Sequence, residues 1–161
     1  MIGRRRDRFL VRVPPERALE VGADPSRFHE FNPLVRVPER GGRVERVGNV
    51  YHQLLGVGPL RVSTRWETVS VDPPNLADHP RPPVPWTTVE AGQIPVFGAW
   101  TSTTRLESVT AGTLITHDLE YGLPDGLFGR FLDLVLMKPL LTVAFGFVGR
   151  RAQRWIEAAD G

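Results

Sequence analysis

Cysteine is absent from this chain, which excludes disulfides, thiolate nucleophiles and cysteine-ligated metals. Lysine is nearly absent too: Lys138 stands alone beside nineteen arginines. Those arginines are scattered and the formal net charge is only +2. They read as the coding bias of a GC-rich bacterial genome. A nucleic-acid partner, which needs clustered basic residues and a recognition element, is not expected. The one cluster, Arg4-Arg5-Arg6, runs straight into Asp7 and reads as a solvated, loose start to the chain. No Gly-x-Ser-x-Gly elbow and no Gly-Lys-Ser/Thr loop occur, and Gly56-Val-Gly58 is followed by proline. His29, His52, His79 and His117 show neither i,i+4 pairing nor HExxH spacing, so no metal is expected, nor is any other cofactor. Arginine interrupts the first residues wherever the apolar stretch of a secretory leader would lie, and the cytoplasm is the expected compartment.

What is present suits a packed domain. Hydrophobic residues make up 41% and charged residues 24% of 161 positions, enough apolar material for residues 1–161 to form a single domain with a real core. One segment, residues 131–148, is apolar enough to suggest a membrane span. It carries Asp133, Lys138 and Pro139, and ionisable groups at mid-membrane depth are costly, so a buried helix is expected and stable membrane insertion is not.

Alternation marks the strands. Phe9, Val11 and Val13 alternate with Arg8, Leu10 and Arg12 before Pro14-Pro15 ends the run and opens a short helix. Asp24 caps a second, with Pro25 at its first position, Phe28 and Phe31 on one face, and Asn32-Pro33 as its stop. Strands follow over residues 34–37, 44–55, 60–71, 86–91, 98–109 and 113–121. Turns fall at Gly41-Gly42, at residues 56–59 and at Ala111-Gly112. The proline-rich stretch 72–85 reads as an extended loop, which with residues 93–97 forms a stiff rim, unless Ile94, Val96 and Phe97 are ordinary hairpin packing. The cleanest period-2 signal sets Leu60, Val62, Thr64, Trp66 and Thr68 against Arg61, Ser63, Arg65 and Glu67.

A long helix closes the chain, over residues 126–158, with a kink expected at Pro139. Beyond that proline, Leu141, Phe145, Val148, Ala152 and Trp155 form one stripe for the sheet, with Arg150, Arg151 and Arg154 outside. Before it the helix is apolar on nearly every side, from Leu127 to Met137. A sheet on one side does not account for that, so a second apolar partner is implied: a ligand cavity or another subunit.

The order of these segments, with Val13-Pro-Pro-Glu-Arg-Ala-Leu19, Gly22-Ala-Asp-Pro-Ser-Arg-Phe-His-Glu-Phe-Asn-Pro-Leu34, Gly98-Ala-Trp100 and Gly112-Thr113, resembles the START-like helix-grip (SRPBCC) superfamily, in particular its polyketide cyclase/dehydrase-like members. The resemblance implies an α+β fold: a curved antiparallel sheet wrapped around the C-terminal helix, two short helices after the first strand, and an apolar cavity between sheet and helix. No catalytic motif is common to that superfamily, so none transfers to this chain.

Within such a cavity the expected ligand-binding residues are His52, Val62, Thr64, Trp66, Trp86, Trp100, Ser102, His117, Tyr121, Phe131 and Val135. His117 shares parity with Ile115, Leu119 and Tyr121, and His52 with Val50 and Leu54, so both histidines are expected to face inward, as site residues or as core polar groups satisfied by a neighbouring backbone or hydroxyl group. The tryptophans bring apolar area with a polar handle, which suits a pocket, and plain core packing is the alternative reading of each. Two functions follow: binding of a hydrophobic small molecule of lipid, polyketide or isoprenoid type, or polyketide cyclase/dehydratase-type chemistry with His52, His117 and Tyr121 as acid and base. The chain is expected as a monomer or a homodimer.

Overall fold

The computed structural model describes residues 1–36, 43–57, 59–74, 85–95 and 98–158. Its elements are β1 (Ile2–Val11), α1 (Pro15–Gly22), a 3-10 turn (Pro25–Arg27), α2 (Phe28–Phe31), β2 (Val35–Arg36), β3 (Val50–Val57), β4 (Leu60–Asp72), β5 (Trp86–Ile94), β6 (Gly98–Val109) and β7 (Gly112–Gly122). One continuous helix then runs as α3 (Gly126–Leu132), a π turn (Asp133–Met137) and α4 (Lys138–Ala158). The seven strands form one antiparallel sheet in the order β1-β7-β6-β5-β4-β3-β2. This is the helix-grip architecture the sequence implied.

Local chemistry explains most boundaries. Pro15 occupies the first turn of α1, where its missing N–H is no loss, and the Asp24 carboxylate accepts from the Ser26 N–H at 2.9 Å to cap the next turn. β1 starts seven residues earlier than alternation over 9–13 suggested. Arg4, Arg6 and Arg8 point outward while Gly3, Arg5, Asp7, Phe9 and Val11 share the inner face, and Arg4 and Arg6 pair across to Glu120 and Asp118. The arginine run is therefore mid-strand. β3 begins at Val50, and Val44 instead donates from its N–H to the Ala23 carbonyl. β5 continues through Gln93 and Ile94, which pair in the ladder with Ala99 and Gly98, the hairpin-packing alternative for Ile94. The expected turn at Gly41-Gly42, most of the proline loop with His79, and Val96-Phe97 lie outside the described residues.

The helix packs chiefly along β1, with α1 and α2 at its C-terminal half. Leu141, Ala152 and Ile156 are buried there, each large side chain contributing about 2 kcal/mol of apolar burial. Trp155 leaves the expected sheet-facing stripe: its ring lies 5.1 Å from Phe31, Arg27 sits over it, and its N–H donates to Glu30 at 2.7 Å. Ahead of Pro139 the backbone adopts the π turn; it widens the ladder just where proline removes a donor and crowds the carbonyl of Val135.

Two expected cavity residues are corrected here. Phe131 and Val135 are 58% and 55% exposed on the outer face of the helix, because Gly129, Asp133 and Met137 take the inner one.

Candidate functional site

The inner face of the sheet is built by register. Tyr51 pairs with Trp66, Gln53 with Thr64 and Leu55 with Val62 across β3–β4. Trp66 pairs with Gly92 and Thr68 with Glu90 across β4–β5. Thr88 faces Thr104, Glu90 faces Ser102 and Gly92 faces Trp100 across β5–β6. Trp100 then pairs with Tyr121, Thr104 with His117, and His117 in turn with Asp7 of β1. A polar belt thus crosses the strands of the sheet, flanked by aromatic rings.

His52 is not part of it. Tyr51 and Gln53 are buried and His52 is exposed, opposite Arg65 on the outer face, so its expected inward orientation is wrong by one residue of parity. Both faces of β3 carry apolar side chains, and the register with β4, not alternation within β3, decides which turns in. Thr64, Trp66, Trp86, Trp100, Ser102 and Tyr121 are buried on the inner face as expected, and His117 lies half-buried beside Ser102. Val62 shares that face but is 37% exposed near the start of β4.

Two hydrogen-bonded pairs dominate the belt. The Tyr51 hydroxyl donates to the Glu90 carboxyl at 2.7 Å with both groups buried. Burial raises the Glu90 pKa to about 7, with the Tyr51 bond opposing, and burial together with Glu90 pushes the Tyr51 hydroxyl well above its usual range. The next strand brings Ser102 Oγ within 2.8 Å of His117 Nε2, while the imidazole packs on Phe145 at 5.2 Å. Burial lowers the His117 pKa against the attraction of Asp7 and Asp118, which favours the neutral ring.

Other polar groups are spoken for. Thr64 Oγ1 donates to the Gln53 carbonyl and receives the Trp66 indole N–H at 3.2 Å. The Tyr121 hydroxyl donates to Asp133 at 2.6 Å, and the other Asp133 oxygen meets Lys138 at 3.1 Å. Burial and then Asp133 raise the Tyr121 pKa, so this hydroxyl is a latch between sheet and helix. Against these, Thr68 Oγ1, the Trp86 and Trp100 indole N–H groups and His117 Nδ1 are buried without a hydrogen-bond partner. Buried polar atoms are nearly always paired, and unpaired ones each cost about 1–3 kcal/mol.

Glu90, Tyr51 and Thr68 were not among the expected site residues. The signal was present: Trp86, Thr88 and Glu90 share parity, and two inward neighbours fix the third. Elsewhere an open depression of about 430 Å³ lies on the outer face of the sheet among Arg6, Arg8, Thr87, Arg105 and Asp118, where Arg6 is already bound by Asp118. Among the described residues no three His, Asp or Glu side chains converge on a metal position.

No protein-family model matches the chain, and no curated protein matches it significantly in sequence. Solved structures do match in shape. Protein SA2116 of unknown function from Staphylococcus aureus superposes with a TM-score of 0.71 at 8% identity, covering 99% of this chain and 96% of its own. The protein TTHA0849 from Thermus thermophilus gives 0.68 at 17% identity with complete coverage of both chains. Ara h 8.0201 gives 0.64 at 10% identity, covering 98% and 99%. At such identities the likeness shows the helix-grip fold and nothing finer.

Proposed function

We propose that the inner face of the sheet binds a hydrophobic small molecule of lipid, polyketide or isoprenoid type that carries at least one polar group. The observation behind this is the unpaired set of Thr68 Oγ1, Trp86 Nε1, Trp100 Nε1 and His117 Nδ1, buried among aromatic rings. Apolar walls with a few convergent polar atoms are what a pocket for such a ligand requires. A polar group on the ligand offers a partner to one of these buried atoms, and its apolar body lies against the aromatic rings beside it.

The chain's four tryptophans give the test its readout. On titration with 2-naphthol, an apolar ring system with one hydroxyl, the indole N–H resonances of Trp86 and Trp100 shift in the proton–nitrogen spectrum. That of Trp155, held by Glu30 at the surface, stays in place. If the Trp155 resonance alone responds, or none does, the inner face is not the site.

Acid–base chemistry on a polyketide-type substrate is the second reading, and it changes residues. His52 faces outward and Tyr121 is tied to Asp133, which leaves Glu90, opposite Ser102 in the β5–β6 register, and His117, hydrogen-bonded to Ser102. A carboxyl titrating near 7 suits a general acid or base at neutral pH.

A further inference from the structure

The outer face of the C-terminal helix is the least expected surface of this protein. Leu127, Phe128, Phe131, Leu134, Val135, Leu136, Leu140, Val143 and Phe147 are between 44% and 83% exposed. Over 126–158 the helix is apolar enough to cross a membrane, yet only 17% of its most apolar stretch is buried. The exposed side chains recur at three- and four-residue spacing, as in Leu136, Leu140, Val143 and Phe147, and they run for roughly 30 Å along the axis. Together they present on the order of 1,000 Å² of apolar surface, where a soluble monomer rarely shows a patch of more than a few hundred.

The exposed charges around this face are mostly positive, and Asp125 at the helix N-cap, though exposed, is paired with the N-terminal amine. Arg130, Lys138, Arg150, Arg151 and Arg154 are all exposed. Arg150, Arg151 and Arg154 continue the apolar stripe beyond Phe147 at the same spacing, with the Arg151 guanidinium over the Phe147 ring. The acids of the helix are turned away or occupied: Asp133 is buried against Tyr121 and Lys138, and Glu157 accepts from the Arg12 backbone N–H. Glu30, the acid nearest the arginine end, is held by Arg27 and Trp155.

We infer that this face docks the protein flat on a lipid surface bearing anionic headgroups. The apolar stripe enters the boundary between headgroups and acyl chains, and the arginine end meets the phosphates. Spanning would strip α4 from β1, α1 and α2, on which its other face is packed. A second copy of the chain fits less well, since it would set two cationic helix surfaces against each other. A membrane-facing helix also places the carrier site beside a reservoir of apolar molecules, though docking does not depend on that site.

Flotation with vesicles tests this. The wild-type protein is expected to float with vesicles of equal parts phosphatidylcholine and phosphatidylglycerol, and about tenfold less with phosphatidylcholine alone, high salt weakening the former. Leu134→Asp with Val143→Asp, at positions 67% and 73% exposed, should abolish flotation with an unchanged thermal melt. Arg150→Glu with Arg154→Glu should remove only the preference for anionic vesicles. Light scattering on the same samples gives the opposing result: a stable dimer that Leu134→Asp/Val143→Asp splits means that a second copy covers the face. Failure of the wild type to float overturns the inference equally.

Discussion

Glu90→Gln should stabilise the protein by about 3 kcal/mol at pH 8 and change it little near pH 4. Glu90 sits among buried groups, with its carboxyl held neutral by burial up to about pH 7 instead of the ordinary 4.5. A carboxyl whose pKa is raised by folding leaves stability intact below the unfolded value. Stability is then lost as pH climbs from 4.5 toward 7, because the unfolded chain ionises first, and it levels off above that. Glutamine has no charge to gain, so its profile stays flat over this window. It also keeps the acceptor for Tyr51 and offers an amide to Thr68 Oγ1, its cross-strand neighbour, which is otherwise unpaired. Urea unfolding of both proteins from about pH 4 to 8 measures the difference. Parallel curves would mean that Glu90 is solvated as an ordinary carboxylate and that the buried belt is misdescribed.

Trp66→Ala should cost about 3–5 kcal/mol, toward the top of the range for removing a core aromatic. The reason lies on the neighbouring strand. Trp66 pairs with Gly92, and its ring covers that glycine so closely that a Cβ built there would fall 2.7 Å from ring carbons. A glycine has nothing with which to fill the space the indole leaves, so the cavity persists. The same contact predicts a coupling. Gly92→Val should cost about 1–3 kcal/mol in the wild type by overpacking and much less in the Trp66→Ala background. Denaturant melts of the wild type, both single variants and the double variant give the cycle, and additive effects would show that the ring does not rest on the glycine. Tyr121 covers Gly3 in the same way at the other end of the face.

Both sites show where a one-dimensional pattern suffices. On β4, β6 and β7 the inward residues Thr64, Trp66, Trp100, Ser102, His117 and Tyr121 were legible from parity with their large apolar neighbours. On β3 they were not: Val50 and Leu54 lie on the outer face while Tyr51 and Gln53 turn in, and only pairing with β4 settles the choice. Glu90 was hidden by its type, since an acid on a strand is usually at the surface, although Trp86 and Thr88 fix its side. The all-round apolar character of the helix before Pro139 did announce apolar side chains that the sheet leaves uncovered. Nothing in the sequence said which face met the sheet. The packing of Gly129, Asp133 and Met137 turned Phe131 and Val135 away from the interior.

The central claim is that this grip holds an apolar molecule, and native mass spectrometry of gently purified protein asks that directly. The account predicts a population heavier than the bare chain, with the excess released into organic solvent as a hydrophobic compound carrying a hydroxyl, carbonyl or carboxyl group. It also predicts that the Leu134→Asp/Val143→Asp protein, with its outer face made polar, retains that excess. A bare chain that takes up no 2-naphthol, or an adduct that disappears with the outer-face substitutions, would contradict it.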